Sequence, residues 1–207
     1  HALLDGDRAE SLQRTLTSNR DAVIVVRDLV RRRWLTTFQA EAILAGRAAD
    51  LRVAGYVLLS LLGSGGMGDV FKARQIPTGR VVALKRIREV HLDNDTARRR
   101  FQREVEAASK LDHANIVRAL AAEEVNGHTV FVMEYGADRR LDKRPAGHPQ
   151  PPRAAAPLLE HLALARDYLP PQGVVPPRLK PSNVLIVSVC DPPSPRLTLD
   201  SAPTARP

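Results

Sequence analysis

Three residue groups in this chain have the types and spacing needed to handle phosphate. The segment Gly63-Ser64-Gly65-Gly66-Met67-Gly68-Asp69-Val70 follows the pattern G-x-G-x-x-G-x-V, in which glycines let backbone amides approach phosphate oxygens without an intervening side chain. Lys85 ends the apolar run Val81-Val82-Ala83-Leu84-Lys85, where an ammonium could neutralise phosphate charge if an acid fixed its direction. Glu104, in Arg100-Phe101-Gln102-Arg103-Glu104, is the candidate acid, and a charge-assisted bond between the two would hold the ammonium over a nucleotide. Taken singly, lysine and glutamate are usually surface charges, so the reading rests on the combination.

The element directly after the glycines separates the phosphate-binding folds. A dinucleotide fold would place a helix there, and a Walker-type loop would need Gly-Lys-Ser/Thr, which is absent. Here the pattern is strand-like: Val57, Leu59 and Leu61 alternate, then come Val70-Phe71-Lys72-Ala73 and Val81 to Lys85, with the turn Pro77-Thr78-Gly79 between the last two. The glycine loop is therefore expected to cap a hairpin. Ala97, Phe101, Val105, Ala108 and Leu111 mark one face of a single helix, followed by strands Ile116 to Glu124 and Thr129 to Glu134 joined through Asn126-Gly127.

Upstream, the pattern from about Ala9 to Gly46 is helical, with Val23, Val26, Leu29 and Val30 on one face and Phe38, Ala42 and Leu44 on another. Thr36 or Thr37 is expected to cap the second helix, Glu41 to place a carboxylate near its positive end, and Gly46 to stop it. These helices could dock on the next domain or bind a partner, and the sequence leaves both open. Downstream of Gly136, fifteen of the sixteen prolines lie at or beyond Pro145, so few long elements are expected there. Leu158 to Leu169 reads as a helix with Pro157 at its first position, Asn183 to Val189 as a buried strand, and the remainder as loop.

Composition narrows the function classes. With 43% apolar and 26% charged residues, the 207-residue chain reads as globular, and no apolar run approaches the ~18 residues of a membrane span. The net charge of +8 is scattered through stretches such as Arg31-Arg32-Arg33 and Arg98-Arg99-Arg100. With three tyrosines, four phenylalanines and one tryptophan, little aromatic surface is available for stacking bases, so no nucleic-acid partner is expected. Cys190 is the single cysteine, which excludes an internal disulfide and fits a reducing, cytoplasmic location without a zinc site. The chain opens at His1 with no signal-peptide pattern, and a fragment is expected.

In order and spacing, the glycine loop, Val82-Ala83-Leu84-Lys85, Glu104, Leu111-Asp112-His113-Ala114-Asn115-Ile116-Val117 and Val132-Met133-Glu134-Tyr135 resemble the bacterial eukaryotic-type serine/threonine protein kinases. Leu35-Thr36-Thr37-Phe38-Gln39-Ala40 through Gly63 resembles the segment preceding the kinase domain in planctomycete members. The resemblance implies an α+β fold: a helical extension over residues 1–54, an ATP-binding lobe over 55–136 with five antiparallel strands and one helix, and an incomplete, irregular second lobe over 137–207. It implies ATP and Mg2+ as cofactors and transfer of the γ-phosphoryl group to serine or threonine hydroxyls of an unnamed protein substrate. Gly63, Ser64, Gly65, Gly66, Met67 and Gly68 would then cover the phosphates, and Val70 and Ala83 the adenine. Met133 would be the gatekeeper, with the hinge at Glu134, Tyr135 and Gly136. His113 would be structural, Lys180 would touch the transferred phosphate, and Asn183 and Asp200 would hold magnesium.

The family pattern breaks in two places. Its catalytic loop reads His-Arg-Asp-Leu-Lys-Pro-x-Asn, whereas here Pro176-Pro177-Arg178-Leu179-Lys180-Pro181-Ser182-Asn183 puts Arg178 at the aspartate position. Leu197-Thr198-Leu199-Asp200 fits the strand leading into its Asp-Phe-Gly, but Ser201-Ala202 follows, and Pro207 comes before any activation segment. Little or no protein phosphorylation is therefore expected. The competing expectations are a kinase by descent that is inactive as this chain, a nucleotide-binding regulatory pseudokinase, and a protein-interaction unit formed by the amino-terminal helices.

Overall fold

The structure is a computed structural model that describes residues 21–66, 68–88, 99, 103, 105–125, 128–136, 139–143, 152–174, 176–177, 179–187 and 194–198. It divides into two compact units, His1–Ile87 with Glu123–Val130, and Arg88–Ala122 with Phe131–Pro207.

The first unit opens with two helices, α1 (Ala22–Arg31) and α2 (Thr37–Leu44). Asp21 caps α1 by accepting from the Val23 N–H at 2.9 Å. The helix closes with Arg33 in the left-handed region at φ 59°, Trp34 N–H donating to the Leu29 carbonyl and Arg33 N–H to that of Val30. Gly46 closes α2 in the same way at φ 72°, as its position predicts, with Arg47 N–H bonding to Ala42 O and its own N–H to Ile43 O. Thr36 is the cap, and the reciprocal partner is Gln39 rather than Glu41: Gln39 N–H donates to Thr36 Oγ1, and Thr36 N–H to Gln39 Oε1. Glu41 lies beyond the first turn and is exposed. The buried face of α1 is Val25, Val26 and Leu29, while Val23 faces solvent, as does Leu44 on α2. The segment before Asp21 lies outside the described residues.

Strands β1 (Arg52–Val53), β2 (Tyr56–Gly65), β3 (Gly68–Gln75) and β4 (Val81–Ile87) continue the unit. The ends of β5 (Ala119–Val125) and β6 (His128–Glu134) that belong to it complete a six-stranded sheet in the order β1-β2-β3-β4-β6-β5. The short β1 is an addition to the five strands anticipated. Turn Ile76 to Thr78 joins β3 to β4, with Gly79 at φ 70° and its N–H bonded to the Gln75 carbonyl. The predicted alternation in β2 is displaced: Leu58 is buried and Leu61 exposed, because the register slips between Leu58 and Ser60 and again between Leu61 and Gly63. A β-bulge of this kind turns the following side chains to the other face.

That bulge is where the amino-terminal helices attach. Thr36 Oγ1 donates to the Leu59 carbonyl at 2.6 Å, and the buried Gln39 donates through Nε2 to the Leu58 carbonyl at 2.8 Å. The Phe38 ring lies 6.0 Å from that of Phe71 on β3. Of the two possibilities left open by the sequence, α2 therefore docks on the strands downstream of it.

In the second unit, residues 105–109 are helical, with Val105 and Ala108 buried. Helix α3 (Pro152–Tyr168) begins six residues before the expected Leu158, and Pro157 lies within it rather than at its first position. An internal proline removes the N–H that would bond to the carbonyl of residue 153, a loss tolerated here with Pro157 exposed and Leu162, Ala165 and Leu169 buried on one stripe. Strands β7 (Arg139–Arg140), β8 (Val184–Val187) and β9 (Ser194–Leu197) form an antiparallel sheet in that order, and α3 packs against β9. Beside the anticipated β8, the short β7 lies in the expected loop, and β9 ends at Leu197, where the strand toward Asp200 was expected to begin; Leu199 and Asp200 lie outside the described residues. Residues 111–117 lock β9 in place. Asn115 Nδ2 donates to Pro195 O, Leu197 N–H to Asn115 O, and Val117 N–H to Leu197 O.

Candidate functional site

The glycine segment forms the tip of the β2–β3 hairpin, with Gly65 opposite Gly68 and Ser64 opposite Asp69. The closest approach falls on Gly68, at φ 149°: a Cβ there would lie 2.0 Å from the Arg86 carbonyl oxygen of β4. Only glycine fits between the two strands at that point. At Gly65 and Gly66 a Cβ would meet nothing within 4 Å. Ser64 Oγ donates to Asp69 Oδ1 at 2.6 Å across the hairpin, and Asp69 pairs through Oδ2 with the Arg86 guanidinium at 3.6 Å.

Pairing continues this geometry into β4. Gly63 lies opposite Val70, and Val70 opposite Lys85, so the three form a row across β2, β3 and β4. Directly paired residues share a face of the sheet, and Ala83, two residues before Lys85, lies on that face with Val70 and Lys85. Lys85 is only 6% exposed, which removes the reading of it as an ordinary surface charge.

Within the second unit, Met133 and Glu134 end β6 and Tyr135 and Gly136 come next. Met133 is buried and the next three are half-buried. Glu134 N–H donates to the Arg118 carbonyl at 3.0 Å. Its carboxylate accepts from the Arg118 N–H at 3.1 Å and pairs with the Arg196 guanidinium. Arg196 was not anticipated; it is half-buried and ties β9 to the end of β6 across 62 residues of sequence. His113 accepts from the Asn115 N–H through Nδ1 and lies 5.1 Å from the Tyr168 ring, a structural arrangement. Lys180 is exposed just before the 3-10 turn Pro181–Asn183, and Asn183 is buried, its carbonyl accepting from both the N–H and the hydroxyl of Thr198. Met67, Glu104, Arg178 and Asp200 lie outside the described residues. Among the described residues, no cluster of three His, Cys, Asp or Glu side chains is placed to hold a metal, and no helix is long and apolar enough to cross a membrane.

A glycine-tipped antiparallel hairpin whose third strand carries a buried lysine, within a curled antiparallel sheet, defines a protein-kinase-like fold. The model of the protein kinase domain matches residues 56–192, and the chain belongs to that family. Similar sequences include the serine/threonine-protein kinases pkn2 of Myxococcus xanthus, 36% identical over 130 residues, and PknD of Mycobacterium tuberculosis, 37% identical over 135 residues. PrkC of Bacillus subtilis is 34% identical over 137 residues. These alignments cover 62%, 64% and 65% of this chain but 16%, 20% and 21% of the relatives. The crystal structure of the Mycobacterium tuberculosis PknI kinase domain superimposes with a TM-score of 0.60 at 27% identity, covering 74% of this chain and 62% of that one. The domain is thus of the eukaryotic-type serine/threonine kind found in bacteria, a family that generally uses ATP and Mg2+.

Proposed function

We propose that this chain binds ATP with Mg2+ through residues 55–136 and transfers the γ-phosphoryl group to protein serine or threonine hydroxyls feebly or not at all. The row formed by Gly63, Val70 and the buried Lys85 carries the first half of this reading. Gly65 and Gly66, where a Cβ would meet nothing within 4 Å, together with Ser64, Met67 and Gly68, would cover the phosphates. Lys85, directed by Glu104, would neutralise them, and Val70 and Ala83 would cover the adenine. Met133 would border the base. With the Glu134 N–H committed to Arg118, hinge contacts would fall to the Glu134 carbonyl and to the backbone of Tyr135 and Gly136. Lys180 would reach the transferred phosphate, and Asn183 with Asp200 would hold Mg2+.

Arg178 carries the second half. A guanidinium stays protonated and cannot accept the proton of a substrate hydroxyl as a carboxylate does. Loss of a general base costs about 10² to 10⁴ in rate. A nucleotide-binding regulatory role is the alternative consistent with the same row of residues.

Mg-ATP titration to millimolar levels, followed by thermal shift and calorimetry, tests this reading. Ligand at ~100 times its dissociation constant stabilises a fold by ~2.7 kcal/mol, a shift of several degrees. That shift is expected for the wild-type chain and lost in Lys85→Ala. A folded wild-type chain showing no shift would overturn the nucleotide reading.

A further inference from the structure

The docked amino-terminal helices contact the sheet at a place connected to the glycine loop. Phe38, next to the cap of α2, meets Phe71 of β3 with ring centroids 6.0 Å apart. The Arg86 guanidinium also lies over the Phe71 ring, 5.3 Å from its centroid. Arg86 reaches Asp69 at 3.6 Å, and Asp69 accepts the Ser64 hydroxyl at 2.6 Å, two residues from the hairpin tip. Asp69 and Phe71 are i and i+2 on β3, and Arg86 is the cross-strand partner of Asp69, so all three occupy one face of the sheet. Val70, Ala83 and Lys85 occupy the opposite face. The contacts therefore run from the extension to the phosphate loop behind the face that carries Lys85.

We propose that the amino-terminal helices set the conformation of the glycine-rich loop through Phe38, Phe71, Arg86, Asp69 and Ser64, with Phe38, Arg86 and Asp69 acting as positioning residues. The physical basis is that each link restricts the next. The Phe38 ring limits where Phe71 sits, Phe71 offers the Arg86 guanidinium a π face, and a guanidinium held there presents a fixed donor to Asp69. Asp69 in turn fixes the Ser64 side of the hairpin. Thr36 and Gln39, bonded to the Leu59 and Leu58 carbonyls, anchor α2 so that Phe38 has a defined place. Anything that binds or displaces these helices would then change how the loop meets phosphate; this functional half rests on the proposed nucleotide binding.

Amide hydrogen exchange on the full chain without nucleotide tests the positioning itself. Phe38→Ala is expected to speed exchange of residues 63–69 by about 2- to 30-fold, the range for changes along a coupled network, with the buried centres of β3 and β4 unmoved. Phe38→Tyr, which keeps the ring, is expected to restore the wild-type rate. Unchanged loop exchange in Phe38→Ala, or a uniform rise across loop and strands, would overturn the proposal. Should Phe38→Ala fail to fold, Arg86→Gln removes the middle link at a partly exposed position, and loop exchange that stays at the wild-type rate in that variant overturns it equally. Mg-ATP titration of the same variants separates the two readings. Exchange that responds in a chain taking no nucleotide leaves the positioning standing and removes the nucleotide reading, whereas wild-type binding with loop exchange indifferent to Phe38 does the reverse.

Discussion

The β2–β4 sheet and the proline-rich stretch after Gly136 are held together by different means. In the sheet, neighbouring strands pair in antiparallel register from Tyr56–Gln75 to Gly65–Gly68, broken only by the slips after Leu58 and Leu61, and short-range patterns of apolar residues and turns set most of it. In the later stretch, apart from α3, the elements are short, and a few non-local bonds carry the order: Asn115 and Val117 to β9, and Arg196 to Glu134. Where order is local, a residue's neighbours in sequence announce its role. Where order depends on partners 60 to 80 residues distant, they do not.

The largest expected effect tests whether the second region is as firmly packed as the first. Leu197 is fully buried beneath α3 and bridges to Ile116, so Leu197→Ala should lower unfolding free energy by roughly 2–5 kcal/mol in urea titration. An insensitive stability would mean that the proline-rich region contributes no cooperative core. Next, the hairpin tip should discriminate sharply between neighbouring glycines. Gly68→Ala places a methyl against the Arg86 carbonyl and should cost about 3 kcal/mol, whereas Gly66→Ala should stay within ~0.5 kcal/mol in the same measurement. Equal effects would mean that β3 and β4 do not approach closely at Gly68.

Gln39→Ala should cost about 1–2 kcal/mol, because it leaves the Leu58 carbonyl and the Thr36 N–H without their side-chain partner. An unchanged melting temperature would show that the extension docks without those bonds. The smallest effect concerns Tyr56, whose phenol is raised above its ordinary value of 10.0, first by burial and then by the Glu123 carboxylate, to which it donates at 3.4 Å. A folded-state value above the unfolded one means the contribution is whole below about pH 10 and is lost as pH rises through the folded value. Stability measured across that alkaline window should fall less steeply in Tyr56→Phe.

Much of the first unit was legible because its signals are short-range: glycines at a hairpin tip, a Pro-Thr-Gly turn, a Thr36 cap and a Gly46 stop. Residues that depend on the third dimension were not. The bulge in β2 left Val57 buried as expected but turned Leu61 to solvent, Arg33 ended a helix in a conformation usually left to glycine, and Arg86, although adjacent to Lys85, gave no sign that it would reach Asp69. The fold family could be read from ordered motifs, while the latch formed by residues 111–117 on β9 appeared only once the strands were in place.

One practical consequence lies in the Leu58 and Leu59 carbonyls. The family match begins at Tyr56, and a polypeptide cut there would lose β1 and both side chains that satisfy those carbonyls. Its β2 would present bare backbone at a sheet margin beside an uncovered Phe71, the combination from which edge-to-edge aggregation starts. Solubility of the catalytic-type domain is thus a property of a longer segment than its motifs delimit, and the helices upstream of Tyr56 belong inside any boundary drawn for expression.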